Sequence, residues 1–229
     1  MAEPLLIENQ FPIADRSKLQ LFSLNTPNGI KVAVALEELG IPYEAHRVHI
    51  GKGEQFTDEF KSISPNSKIP AIVDLNGPGG KPFALMESGA ILIYLAEKAG
   101  RLLPTDPVQR FKCLQWLFFQ VGHIGPMFGQ FGHFFKYARD KCDHPYPLER
   151  YTTESKRLLG VLDHQLNDQP FLVGDYSIAD IATFPWVNAL GFNYGAGEVI
   201  PVAEFPHVAA WLARCTARPS FEIGKDVTK

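Results

Sequence analysis

The sequence predicts an α/β domain followed by an all-helical domain, and three observations carry that prediction. Between residues 19 and 99 short apolar runs alternate with segments of helical period, in the order strand, helix, strand, helix, two strands and a helix. A Pro-containing stretch, Leu103-Pro104-Thr105-Asp106-Pro107, then reads as a link between domains. Beyond it strand signals thin out, and long amphipathic or apolar segments cover residues 109–122, 147–166, 178–190 and 206–218. The expected division is an irregular extension over 1–18, an α/β domain over 19–103 and a helical domain over 104–229.

The first strand is Leu19-Gln20-Leu21-Phe22-Ser23-Leu24, broken by Asn25-Thr26-Pro27-Asn28-Gly29. Val32, Leu36 and Leu39 then recur at helical spacing up to Gly40, a natural C-terminal stop, with Pro42 beyond it. A second strand is expected over residues 43–50, and Gly51-Lys52-Gly53 turns out of it. Phe56, Phe60 and Ile63 suggest a short helix over 54–63. The turn Ser64-Pro65-Asn66-Ser67 leads into a buried strand over 68–74, with Pro70 near its start, where a missing amide donor is tolerated. Asn76-Gly77-Pro78-Gly79-Gly80 is a turn cluster, residues 82–86 return, and Glu87-Ser88-Gly89 opens an apolar helix over 90–99. A right-handed βαβ crossover plus an antiparallel hairpin makes a small mixed sheet. In the helical half, Ser177-Ile178-Ala179-Asp180 has the spacing of a capping box, whose loss should cost about 0.5–2 kcal/mol.

Composition narrows the function. With 22 Lys+Arg against 25 Asp+Glu, the 229-residue chain has no basic excess for gripping phosphate backbones, so no nucleic-acid partner is expected. No run approaches the roughly 18 apolar residues of a membrane span. Cys113, Cys142 and Cys215 are widely spaced and odd in number, which argues against a disulfide scaffold and for a cytoplasmic protein. Seven scattered histidines without i, i+4 pairing give no metal-ligand pattern. Nucleophile-elbow, zinc-protease, phosphate-loop and dinucleotide-binding motifs are absent from the sequence.

Three features remain. Thr26 and Asn28 stand between the first strand and first helix, where free amides and the helix dipole favour an anion; a hydroxyl or carboxamide there can lower a thiol's pKa, or simply cap the helix. Ile69-Pro70 is a candidate cis bond that presents backbone to an extended peptide-like ligand. Glu87 and Ser88 open a helix where an α-amino acid head group can sit, carboxylate on the amides and hydroxyl, ammonium on the Glu, although the pair also reads as ordinary capping.

Taken in this order, the motifs resemble those of the glutathione transferases over residues 20–219. Thr26-Pro27-Asn28-Gly29-x-Lys31, Gly51-Lys52-Gly53-x-Gln55-Phe56, Ser64-Pro65-Asn66-x-Lys68-Ile69-Pro70 and Glu87-Ser88-Gly89-Ala90 are similar to the Nu-class bacterial members. Trp116 to Gly122 and Gly125-Pro126-Met127-x-Gly129-Gln130 extend the likeness, which is shared in part with fungal relatives of the yeast nitrogen-regulator prion protein.

The resemblance implies a thioredoxin-like N-terminal domain plus an all-α C-terminal domain, and glutathione, reduced or oxidised, as cosubstrate. It implies that Glu87 and Ser88 hold the γ-glutamyl group, that the Ile69 backbone before a cis Pro70 pairs with the cysteinyl unit, and that Gln55 and Lys68 reach the glycyl carboxylate. Thr26 and Asn28 would face the sulfur, Arg150 would contact a second glutathione, and His133, Phe134 and Tyr137 would line the second-substrate pocket. The implied activity is glutathione-dependent reduction of small disulfides, with weak transferase or peroxidase activity, in a cytoplasmic homodimer. The alternatives are a conventional conjugating transferase acting on an electrophile and a non-catalytic regulatory protein on the same fold. Neither Tyr nor Cys follows the first strand as in other transferase classes, so a disulfide reductase of this kind must use two glutathione thiols.

Overall fold

The computed structural model describes residues 4–229, so the first three residues of the expected extension lie outside it. The sheet has the order β2-β1-β3-β4. β1 (Leu19–Ser23) is buried throughout and pairs in parallel with β2 (Tyr43–Arg47), Phe22 opposite His46. β3 (Ala71–Asp74) runs antiparallel to β1, Leu21 opposite Ile72, and to β4 (Phe83–Met86), Ile72 opposite Leu85. The mixed sheet expected from the βαβ unit and hairpin is therefore present.

Helix α1 (Pro27–Leu39) connects the parallel pair, with Pro27 at its first turn and Gly40 left-handed at φ 66° at its end. Its apolar period buries Val32, Leu36 and Leu39. Helix α3 (Ser88–Ala99) begins two residues ahead of the expected 90 because the chain turns sharply at Glu87. The helix expected over 54–63 is split: a 3-10 turn at Glu54–Phe56, an extended Thr57, then α2 (Asp58–Lys61). Thr57 is the reason, since its hydroxyl accepts from the Phe60 amide at 3.2 Å and so ends one turn and caps the next.

The leading segment is more ordered than an irregular extension. It forms a 3-10 turn at Leu6–Asn9 and buries Ile7 completely in a cluster with Phe22, Val48, Phe60 and Val73. Glu8 accepts from the Leu5 amide and pairs with Arg16 at 2.6 Å, closing the segment on itself.

The chain divides into two compact units. The first runs through to Arg101 and also takes in Pro219–Lys229; the second spans Leu102–Arg218. The closing helix α9 (Pro219–Gly224), expected within the helical domain, belongs to the first unit instead. Ser220 donates to Glu38, and Gly224 lies so close to Val34 that a Cβ would meet its backbone nitrogen at 2.9 Å.

The second unit contains α4 (Pro107–Phe119), α5 (Gly125–Gly132), α6 (Pro145–Gln165), α7 (Ile178–Phe192) and α8 (Pro206–Thr216). Helix α4 starts at Pro107 because Asp106 accepts from the Gln109 amide at 2.9 Å. Helix α5, not expected from the sequence, is flanked by π turns at Gln120–Ile124 and His133–Tyr137. Its glycines lower intrinsic propensity but permit contact: a Cβ on Gly132 would fall 2.3 Å from the Tyr194 ring.

The expected capping box at the head of α7 is present and extended. Buried Asp180 accepts from the Ser177 amide at 3.0 Å and hydroxyl at 3.1 Å, the Leu172 amide at 3.0 Å and Trp211 Nε1 at 2.8 Å. Burial raises its pKa, and the four donors oppose that shift.

Candidate active site

Strand β1 delivers the chain to a turn that α1 must enter at once. Thr26 takes an extended conformation (φ −120°, ψ 161°), its Oγ1 accepts from the Gly29 amide at 3.2 Å, and its carbonyl accepts from Ile30 at 2.9 Å. A Cβ on Gly29 would stand 2.0 Å from the Leu24 carbonyl oxygen, so the first turn of α1 lies directly on the end of the strand and glycine is required there. The two sequence readings of Thr26 are compatible. A capping hydroxyl accepts through a lone pair and keeps its own proton for donation.

The second side of the site is the turn into β3. Ser64 donates to the Lys68 carbonyl at 2.7 Å, Ser67 is left-handed at φ 55°, and the Ile69-Pro70 peptide is cis. Pro70 has no amide, so β3 begins at Ala71 rather than at the expected residue 68. Among the described residues no hydrogen bond engages the Ile69 backbone.

The third side is the head of α3. Glu87 adopts φ 70°, ψ 111°, unusual for a side-chain-bearing residue, and its carbonyl accepts from Ile91 at 2.9 Å. Ser88 opens the helix, whose first amides have no intrahelical acceptor and carry the positive end of the helix dipole.

These three sides enclose a cavity of about 270 Å³ lined by Asn28, Ser64, Lys68, Ile69, Pro70, Met86, Glu87 and Ser88. Six of the residues singled out in the sequence thus line one cavity, and Thr26 caps the helix that carries Asn28. Ser64 and Met86, 3.9 Å apart, had no site role in the sequence reading: Ser64 reads there as a turn residue opening its motif, and a strand methionine carries no motif signal.

Gln55 does not line this cavity. It is only 8% exposed, its Nε2 donates to the Ile50 carbonyl at 3.2 Å, and its Oε1 has no partner among the described residues.

Behind the cavity wall lies a group that the sequence marks only as the last residue of the Thr26-Pro27-Asn28-Gly29-x-Lys31 motif, with no role attached. Lys31, on α1, is 1% exposed, and its Nζ donates to Ser88 Oγ at 3.3 Å. Burial lowers its pKa to about 7, with the Glu87 carboxylate acting in the opposite direction.

The remaining expected residues lie in the helical unit. His133, Phe134 and Tyr137 share the second π turn, where the Phe134 ring stacks on Tyr151 at 5.7 Å and Tyr137 is 63% exposed. Arg150 is exposed and reaches Glu154 at 3.6 Å, while Arg157 holds the same carboxylate at 2.8 Å.

All three cysteines belong to the helical unit, and none lines the cavity. Burial pushes the Cys113 thiol up, away from the thiolate. Among the described residues no group of His, Cys, Asp or Glu could hold a metal ion, and no helix is long and apolar enough to cross a membrane.

Residues 26–98 match the glutathione S-transferase N-terminal domain model and residues 125–219 the C-terminal domain model. The chain is 48% identical over 204 residues to the disulfide-bond oxidoreductase YfcG of Escherichia coli K12, covering 88% of this chain and 92% of the relative. A glutathione transferase family member from Pseudomonas fluorescens, solved with two glutathione bound, is 51% identical with a TM-score of 0.96, covering 98% of this chain and 99% of that one. A glutathione transferase from Pseudomonas putida, solved with one glutathione disulfide per subunit, is 49% identical with a TM-score of 0.96, covering 98% of both chains.

Proposed function

The chain belongs to the glutathione S-transferase family, and from that premise we propose that it is a glutathione-dependent disulfide-bond oxidoreductase whose reacting sulfurs all come from bound glutathione and the substrate. The observation that carries the reading is the composition of the cavity: a helix N-terminus with Ser88 and Glu87, an unengaged backbone at Ile69 and the Asn28 carboxamide on a helix that Thr26 caps, with no cysteine in the lining. The name of the Escherichia coli relative and the oxidised glutathione in the Pseudomonas putida structure support the same activity.

Each residue has a role set by its chemistry. The head of α3 and Ser88 take the γ-glutamyl α-carboxylate, and Glu87 takes its ammonium. The Ile69 amide and carbonyl pair with the cysteinyl unit as an added strand would. Lys68 takes the glycyl carboxylate, with Gln55 as a more distant support. Thr26 and Asn28 donate to the sulfur, and hydrogen bonds to the charged form favour the thiolate.

That thiolate attacks one sulfur of the substrate disulfide, forming a mixed disulfide and expelling the other sulfur as a thiolate. A second glutathione thiolate attacks the glutathione sulfur of the mixed disulfide, giving oxidised glutathione and the second substrate thiolate. Two glutathiones are oxidised and one disulfide is reduced. Arg150 is assigned to the second glutathione, and His133, Phe134 and Tyr137 to the substrate.

We assign a homodimer and a cytoplasmic setting to the protein. An exposed apolar stripe on α4, with Val108, Phe111 and Phe118 each more than 60% exposed, supports the first, and three cysteines that form no disulfide support the second.

Turnover of a small disulfide with glutathione tests the reading. Replacing both Thr26 and Asn28 with Ala should slow it by about 10²-fold or more, and an unchanged rate removes them from the mechanism. A crystal soaked in oxidised glutathione separates this reading from conjugation: both halves ordered in one site favour disulfide reduction, while one half beside an empty apolar pocket favours conjugation.

A further inference from the structure

We infer that Lys31 is a positioning residue for glutathione, fixing the Ser88 hydroxyl so that its proton points into the cavity toward the γ-glutamyl α-carboxylate. The inference deepens the proposed function and rests on the reading of Ser88 as a seat for that carboxylate.

The geometry carries it. Lys31 lies on α1, which packs against α3, and its ammonium is buried behind the wall that Ser88 forms. An ammonium is a donor only, so in the 3.3 Å contact the Ser88 oxygen must accept. The hydroxyl proton is thereby turned away from Lys31, and the open side of Ser88 is the cavity it lines. A neutral amine would reverse this, accepting the Ser88 proton and leaving a lone pair toward the ligand, which repels a carboxylate.

A charged lysine beneath the head of α3 also adds to the positive end of the helix dipole. Among the charged groups on elements packed against α1, Glu87 acts on Lys31 through its field. Glu97 and Lys98 lie in the last turn of α3, and α9, which carries Glu222, meets α1 at Val34 and Glu38. A ligand carboxylate beside Ser88 adds a second negative charge near the ammonium and favours its protonated form.

The test uses two ligands, glutathione and an analogue in which 4-aminobutyrate replaces the γ-glutamyl residue and so removes the α-carboxylate. Their affinities are measured by calorimetry for the wild type, Lys31→Met, Ser88→Ala and the double variant. Lys31→Met is expected to weaken glutathione by about tenfold or more and leave the analogue unchanged, and the double variant to be no weaker than the worse single one. Equal losses for both ligands, or single effects that multiply in the double variant, would overturn the proposal while leaving the reading of Ser88 intact. A Ser88→Ala variant that still prefers glutathione by the wild-type factor would instead overturn the reading of Ser88, and the proposal with it.

If Lys31→Met does not fold, the wild type decides. Calorimetry at pH 8 in buffers of different ionisation enthalpy should show more proton uptake with glutathione than with the analogue. Equal uptake overturns the proposal.

Discussion

The Thr57 hydroxyl donates to Gln10 Oε1 at 2.6 Å, and the same Gln10 side chain donates through Nε2 to the Glu54 carbonyl at 3.0 Å. One residue of the leading segment thus brackets the 3-10 turn that carries Gln55. Gln10→Ala removes both bonds and should destabilise the protein by about 1–2 kcal/mol. It should raise the KM for glutathione a few-fold through the loosened Gln55 turn, with kcat unchanged. Thermal melts and steady-state kinetics on one preparation check both effects.

Gly29 tolerates no side chain. Its Cβ would meet a backbone carbonyl at 2.0 Å and Ser23 Oγ at 2.4 Å, and the carbonyl cannot yield without shifting the end of β1. Gly29→Ala should cost about 3 kcal/mol or more and depress glutathione binding with it, because Thr26 and Asn28 share that turn. A denaturant titration measures the loss.

Asp180 is expected to matter beyond its capping role. Four donors converge on its carboxylate, including Trp211 from α8, so Asp180→Ala leaves several buried donors unpaired. A loss of about 3 kcal/mol or more is expected, above the range for a cap alone. Ser177→Ala, which removes only one hydroxyl, should stay within about 0.5–2 kcal/mol.

Lys31 makes stability depend on pH with a definite sign. Its folded pKa is lowered to about 7 from 10.5, so between those values the unfolded chain binds a proton that the folded chain does not. Stability therefore rises with pH across that window, by up to ~1.4 kcal/mol per unit, and the cost of burying the charge is fully present below it. The difference in unfolding free energy between the wild type and Lys31→Met isolates this contribution. In the absence of glutathione, the variant's advantage should shrink from pH 7 toward pH 10.

Much of this was legible in the sequence because it is local. The Val32, Leu36 and Leu39 period, Pro27 after Thr26 and Gly40 at the stop define α1 with no tertiary information, and six residues from three separate motifs prove to line one cavity. The burial of Lys31 was not legible: although the residue closes the first motif, a lysine within a helix reads as a solvated position, and the packing of α3 on α1 buries it. Helix α5 was hidden by glycines whose function is close contact with Tyr194 and Trp186. The return of α9 to the first unit, and the burial of Ile7, depend on contacts distant in sequence that no periodicity records.

In the proposed reaction no sulfur of the protein takes part. The most direct measurement is turnover of bis(2-hydroxyethyl) disulfide with glutathione by a variant carrying Cys113→Ala, Cys142→Ser and Cys215→Ala together. Its kcat/KM should stay within about twofold of wild type once folding is confirmed by its melt. A fall to the uncatalysed rate in a folded triple variant would contradict it.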